Sequence, residues 1–89
     1  MLDTYFREVM IALMSDANRL TNRLQEFRES TFLSLSTVAY HVGISRQALA
    51  AIEQGKAMPS LITALKLASY YDTSVDTLFD LDWWPNEIF

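Results

Sequence analysis

Cysteine is absent from this chain, so it can build neither a disulfide framework nor a thiolate metal site. Its single histidine, His41, has no other ligands at metal-binding spacing and reads as an exposed helix residue. Asp72, Asp76, Asp80 and Asp82 lack the alternating ligand loop and glycine of a calcium-binding hand, and read as a solvated acidic face. There is no glycine-rich phosphate loop and no nucleophile elbow, so nothing points to an enzyme, a cofactor or a metal. No apolar run approaches the roughly 20 residues that span a bilayer. The stretch from Val9 to Met14 follows Asp3 and Glu8 without a basic leader, so it does not read as a signal peptide. The expected setting is the cytoplasm, with no membrane partner. With two glycines, two prolines and no sustained alternation of apolar and polar residues, the chain reads as helical throughout.

What is present is an apolar half (51% of the 89 residues), ordinary for a globular protein and too rich for a disordered one. The length suits one domain. The formal net charge is −4, but it is unevenly spread. From Asn18 to Ser60, Arg19, Arg23, Arg28, Arg46 and Lys56 outnumber Glu26, Glu29 and Glu53, a net of +2. From Leu61 onward the net is −4, and residues 1–17 supply −2. A mildly basic centre between acidic flanks is compatible with nucleic acid, although few cationic contacts predict modest non-specific affinity.

Apolar residues step through Leu2, Phe6, Met10, Leu13, Ala17, Leu20, Leu24 and Phe27 at intervals of three and four, placing one stripe on one side of a helix. The pattern fits one long helix over residues 2–29, or two with a break near Ser15 and Asp16. A short helix over 35–42 buries Val38, Ala39 and Val42 and stops at Gly43. Ile44 enters the core, and Ser45 caps a helix to about Gln54 that buries Ala48, Leu49 and Ile52, with Gly55 just beyond. Ser60 caps a fourth helix with Leu61, Ala64, Leu65, Ala68 and Tyr71 at helical spacing. Ser74 caps a fifth, with Val75, Leu78 and Phe79 apolar and Asp76 favourable in its first turn. An apolar tail follows.

Two short helices joined by a glycine turn describe a helix-turn-helix. Small Ala39 allows close approach, Gly43 makes the turn, and Ile44 and Leu49 fill the angle. The second helix then projects its first residues outward, where they can enter a major groove.

Residues 23–80 resemble the lambda-repressor/Cro-type helix-turn-helix family, also called the XRE family. The matching stretches are Arg23–Arg28, Leu33-Ser34, Val38-Ala39 through Arg46, Ile52-Glu53-Gln54-Gly55-Lys56, Pro59-Ser60-Leu61 and Ser74–Phe79. The resemblance implies an all-α, five-helix domain over 17–81 that docks on DNA, commonly as a symmetric dimer. An N-terminal helical extension (1–16) and an apolar C-terminal tail (82–89) flank it. It also implies base readout at Arg46, Gln47, Ala50 and Ala51. Arginine suits guanine and glutamine suits adenine in the major groove. Phosphate contacts are expected at Ser34, Leu35, Ser36, Ser45, Gln54 and Lys56, several through helix N-terminal amides. Arg28 and Glu53 stand where the family often forms a partly buried structural ion pair. Three positions depart from the pattern. Leu35 replaces a phosphate-binding glutamine, Ala50 and Ala51 replace longer polar side chains, and Phe32 replaces a glycine. The DNA face is thus thin, which favours reliance on dimerisation.

Leu2, Phe6, Met10 and Leu13 at one end, and Trp83, Trp84, Ile88 and Phe89 at the other, exceed what a small core needs and are candidates for a homodimer interface. The expected function is a sequence-specific, double-stranded-DNA-binding regulator, a dimeric repressor on an inverted repeat. The acidic ends and apolar tail motivate the alternative of a protein-interaction module on the same fold, an antitoxin or antirepressor with a protein partner.

Overall fold

The apolar steps through Leu20, Leu24 and Phe27 do not make one helix. In the computed structural model, which describes residues 20–82, the chain enters as a strand, β1 (Leu20–Asn22), and only then turns into α1 (Leu24–Ser30). β1 pairs antiparallel with β2 (Phe79–Leu81), with Leu20 opposite Leu81, Thr21 opposite Asp80 and Asn22 opposite Phe79. This two-stranded sheet corrects the all-helical expectation at both ends. The physical reason lies at Asn22 and Arg23. The Asn22 side-chain oxygen accepts from Leu24 N at 3.0 Å, satisfying a first-turn amide that has no partner within the helix. Arg23 N donates to Leu78 O at 2.9 Å, continuing the pairing with the far end of the chain. The residues expected to form an N-terminal extension (1–16) and the tail residues 83–89, with the candidate interface side chains at both ends, lie outside the described residues.

Between the strands run α2 (Leu35–Val42), α3 (Arg46–Glu53), α4 (Leu61–Tyr70) and α5 (Val75–Leu78). Each begins at a serine in extended conformation whose hydroxyl accepts an amide three residues on: Ser34 from Thr37, Ser45 from Ala48, Ser60 from Thr63 and Ser74 from Thr77. Such a cap satisfies one of the orphan donors at a helix start and is worth about 1 kcal/mol. Three of these serines also meet a threonine hydroxyl, at 2.8 to 3.0 Å.

The core is apolar among the described residues. Leu24 of α1, Val38 of α2, Leu49 of α3, Leu67 of α4 and Leu78 of α5 are fully buried at its centre, and Phe79 closes it from β2. The buried face of α4 is Ala64, Leu67 and Ala68, so of the expected stripe Ala64 and Ala68 reach the core while Leu61 and Leu65 are turned to solvent, with 72% and 53% of their surface exposed. The α4 residues at helical spacing form two stripes, and packing against α2 and α5 chooses the one whose alanines allow close approach. Phe79, expected in the fifth helix, instead begins β2. Across α2 and α4, His41 Nδ1 lies 2.9 Å from the Tyr70 hydroxyl. Among the described residues no helix is long and apolar enough to cross a membrane, and no cluster of three or more His, Cys, Asp or Glu could hold a metal ion.

Candidate nucleic-acid interface

α2 ends because Gly43 takes the left-handed conformation (φ 85°), its amide bonding to Ala39 O at 2.8 Å. Ile44 N reaches the same carbonyl at 3.0 Å, and the chain turns. A side chain at position 43 would find open space, with the Lys66 ammonium 3.9 Å away, so the glycine is required by backbone conformation and not by crowding. Ala39, buried at the crossing, has no side-chain bulk to push α2 and α3 apart. Ile44 packs partly buried against the core beneath the turn.

α3 then starts at Ser45 with its first turn in solvent. Arg46 and Gln47 are exposed, and Ala50 and Ala51 are half-buried one turn further on. Spacings of three and four residues put these four on one side of the helix, opposite buried Leu49 and Ile52. The Ser45 hydroxyl accepts from Ala48 N, while the amides of Arg46 and Gln47, in the first turn of the helix, have no intrahelical carbonyl to bond. Ser34 and Ser36 are exposed at the start of α2, with Leu35 half-buried between them and packed toward the core. Gln54 and Lys56 are exposed in the turn after α3. Lys56 N and Ala57 N both bond to Ala51 O, at 2.9 and 3.3 Å, which folds this turn back on the helix.

The far end of α3 is braced from α1. Arg28 Nε and Nη2 donate to the two Glu53 carboxylate oxygens at 2.8 and 3.1 Å, a bidentate pair. Arg28 Nη1 also donates to Leu33 O at 3.1 Å, tying down the α1–α2 loop. The Arg28 and Glu53 side chains keep only 15% and 4% of their surface exposed. The hydrogen bond to Glu53 raises the Arg28 guanidinium above its ordinary value, overcoming the opposing effect of desolvation. Beside the pair lies Tyr71, packed against Phe27 at 5.8 Å between ring centroids. Its hydroxyl is buried without a hydrogen-bond partner among the described residues. Burial, then the nearby Glu53 carboxylate, push its pKa up to about 12.

Phe32 stands where a glycine suits the backbone, and it adopts the glycine conformation all the same (φ 57°), with its ring 95% exposed. Sequence reasoning missed Asn22 and Tyr71. An asparagine two residues ahead of a buried leucine is a capping signal, but the apolar stripe runs unbroken across it.

Two crossed helices, a glycine turn between them and an exposed, capped first turn on the second define a helix-turn-helix protein. Residues 24–78 match the family model described as Helix-turn-helix. Over 60 residues the chain is 35% identical to an uncharacterized HTH-type transcriptional regulator of Methanocaldococcus jannaschii, covering 67% of this chain and 91% of that one. It is 33% identical over 63 residues to the uncharacterized HTH-type transcriptional regulator YgzD of Bacillus subtilis, covering 71% and 96% respectively. Among solved structures it is similar to the restriction-modification controller protein C.AhdI of Aeromonas hydrophila, with a TM-score of 0.58 and 34% identity over 62% of this chain and 83% of that one. The chain belongs to the XRE-type helix-turn-helix family of DNA-binding transcription regulators.

Proposed function

We propose that the protein is a sequence-specific regulator that binds an inverted-repeat operator as a homodimer, acting as a repressor. One observation carries this reading: the first turn of α3 presents Arg46 and Gln47 to solvent while its other end is locked into the domain through Glu53. A helix held this way can enter a major groove with both side chains aimed at base edges. Arg46 and Gln47 provide direct readout, with Ala50 and Ala51 forming an apolar floor that suits a thymine methyl. The N-terminal amides around Ser34, Leu35, Ser36 and Ser45, with Gln54 and Lys56, hold phosphates and set the register. Because Ala50 and Ala51 contribute no polar reach, two half-sites joined by dimerisation supply affinity that one domain lacks. The likeness to a restriction-modification controller protein supports regulation over the interaction-module alternative.

The test is a gel-shift titration against DNA flanking the protein's own gene and against sequences selected from a random pool, at two salt concentrations. Arg46→Ala costs about 1–3 kcal/mol of binding and relaxes one base position per half-site, whereas Lys56→Ala weakens all sequences alike and lowers the salt slope by about 1. Equal losses on every sequence for both variants overturn the assigned roles. If the random pool enriches nothing, the antitoxin or antirepressor reading takes its place.

A further inference from the structure

An eight-residue recognition helix leaves its last four carbonyls without intrahelical partners. In α3 these belong to Ala50, Ala51, Ile52 and Glu53. The turn that follows serves the first three: Gln54 N bonds to Ala50 O, Lys56 N to Ala51 O and Gly55 N to Ile52 O. The Asn22 side-chain amide serves the end, donating to Ile52 O at 3.0 Å and to Glu53 O at 3.4 Å across 30 and 31 residues of sequence. Its oxygen is engaged with Leu24 N at 3.0 Å. This fixes the orientation of the amide, since the reverse would set the oxygen against two carbonyls. Asn22 itself sits opposite Phe79 in the two-stranded sheet.

We infer that Asn22 is a positioning residue for DNA readout, clamping the C-terminal end of α3 so that its first turn is aimed at the bases. The inference rests on the DNA-binding reading above. α3 is about 12 Å long, so a tilt of about 5° at its clamped end displaces Arg46 and Gln47 by about 1 Å. Base contacts tolerate only about half that error. The Arg28–Glu53 pair grips the Glu53 side chain, and Asn22 grips the backbone of the same residue. The two together remove the rotation about the helix end that either alone permits. Phosphate contacts are spread over both helix starts and the turn after α3, so non-specific binding is far less sensitive to such a tilt.

Two substitutions separate the clamp from the fold. Asn22→Asp keeps the oxygen that caps α1 but replaces the donor to α3 with an oxygen that repels the Ile52 and Glu53 carbonyls, while Asn22→Ala removes both contacts without that repulsion. Using DNA selected by the wild type, and working well below the melting temperature, Asn22→Asp lowers affinity for the selected sequence about tenfold, the worth of one good base contact. Affinity for non-specific duplex and the salt slope stay within about twofold of wild type. Equal losses on both DNAs, or no loss on either, overturn the inference. Amide hydrogen exchange in the free protein gives a second readout. Asn22→Asp accelerates exchange in the last turn of α3 and spares α2, whereas unchanged or uniformly faster exchange counts against the clamp. If the wild type selects no DNA, the functional reading fails and the exchange experiment alone decides whether Asn22 holds the helix.

Discussion

The Tyr71 hydroxyl is the one buried polar side-chain atom without a partner among the described residues. Burying a hydroxyl unpaired costs about 1–3 kcal/mol. The same burial keeps it protonated. Its pKa rises from 10.0 to about 12 in the fold, so the folded protein holds a proton that the unfolded chain releases near pH 10. This contribution to stability is complete below pH 10 and is lost as pH rises from there toward 12. Tyr71→Phe should therefore raise stability at neutral pH by about 1 kcal/mol and flatten the difference between pH 10 and 12. Chemical denaturation of both proteins across that range measures it, and a destabilised variant at pH 7 would show that the hydroxyl is paired in solution. Asn22 and Arg28 act at the same scale in the opposite way, since every polar group on each side chain has a partner, in α1 and α3 for Asn22 and in α3 and the α1–α2 loop for Arg28.

Among elements, the α1–α2 loop carries an avoidable cost. Phe32 occupies the left-handed region, which disfavours a residue with a Cβ by about 1–2 kcal/mol. Its ring is 95% exposed, so glycine loses no packing there. Glycine does give back about 0.4–1 kcal/mol through a more flexible unfolded chain. Phe32→Gly is accordingly expected to stabilise the protein by about 0.5–1 kcal/mol, a rise of about 4 °C in Tm for a domain of this size. A Tm that stays the same or falls would mean the ring packs on something in solution. The elements that matter most for function are simpler. Serine caps start α2 and α3, and glycine stops α2, so both ends of the turn between the two helices are decided locally. Asp72, also in the left-handed region after α4, is a residue type that tolerates it better than phenylalanine.

For the whole molecule, the Arg28–Glu53 pair is a polar link between α1 and α3. Removing one partner leaves a carboxylate 4% exposed and the Leu33 carbonyl without its donor. Arg28→Leu should cost about 3–5 kcal/mol, a large part of the 5–15 kcal/mol available to a small domain. Arg28→Leu combined with Glu53→Leu should recover most of that loss, because the penalty lies in the stranded charge. Thermal unfolding of the single and double variants checks this. A single-variant loss below about 1 kcal/mol would show that solvent reaches Glu53.

Much of this protein is written locally. The starts of α3, α4 and α5, the stop at Gly43 and the exposed face of Arg46 and Gln47 follow from residues within four positions of each other, because capping, left-handed turns and helical periodicity are short-range effects. The sheet is different. Leu20 meets Leu81 and Asn22 meets Phe79 from opposite ends of the domain, and apart from the capping asparagine no local pattern distinguishes those residues from one more turn of helix. Tertiary structure decided that the stripe breaks at Asn22, that Leu61 and Leu65 face solvent while Leu67 is buried, and that the Asn22 amide meets the last carbonyls of α3. Each of these is a choice between locally equivalent options, settled by which partner the rest of the chain brings within reach.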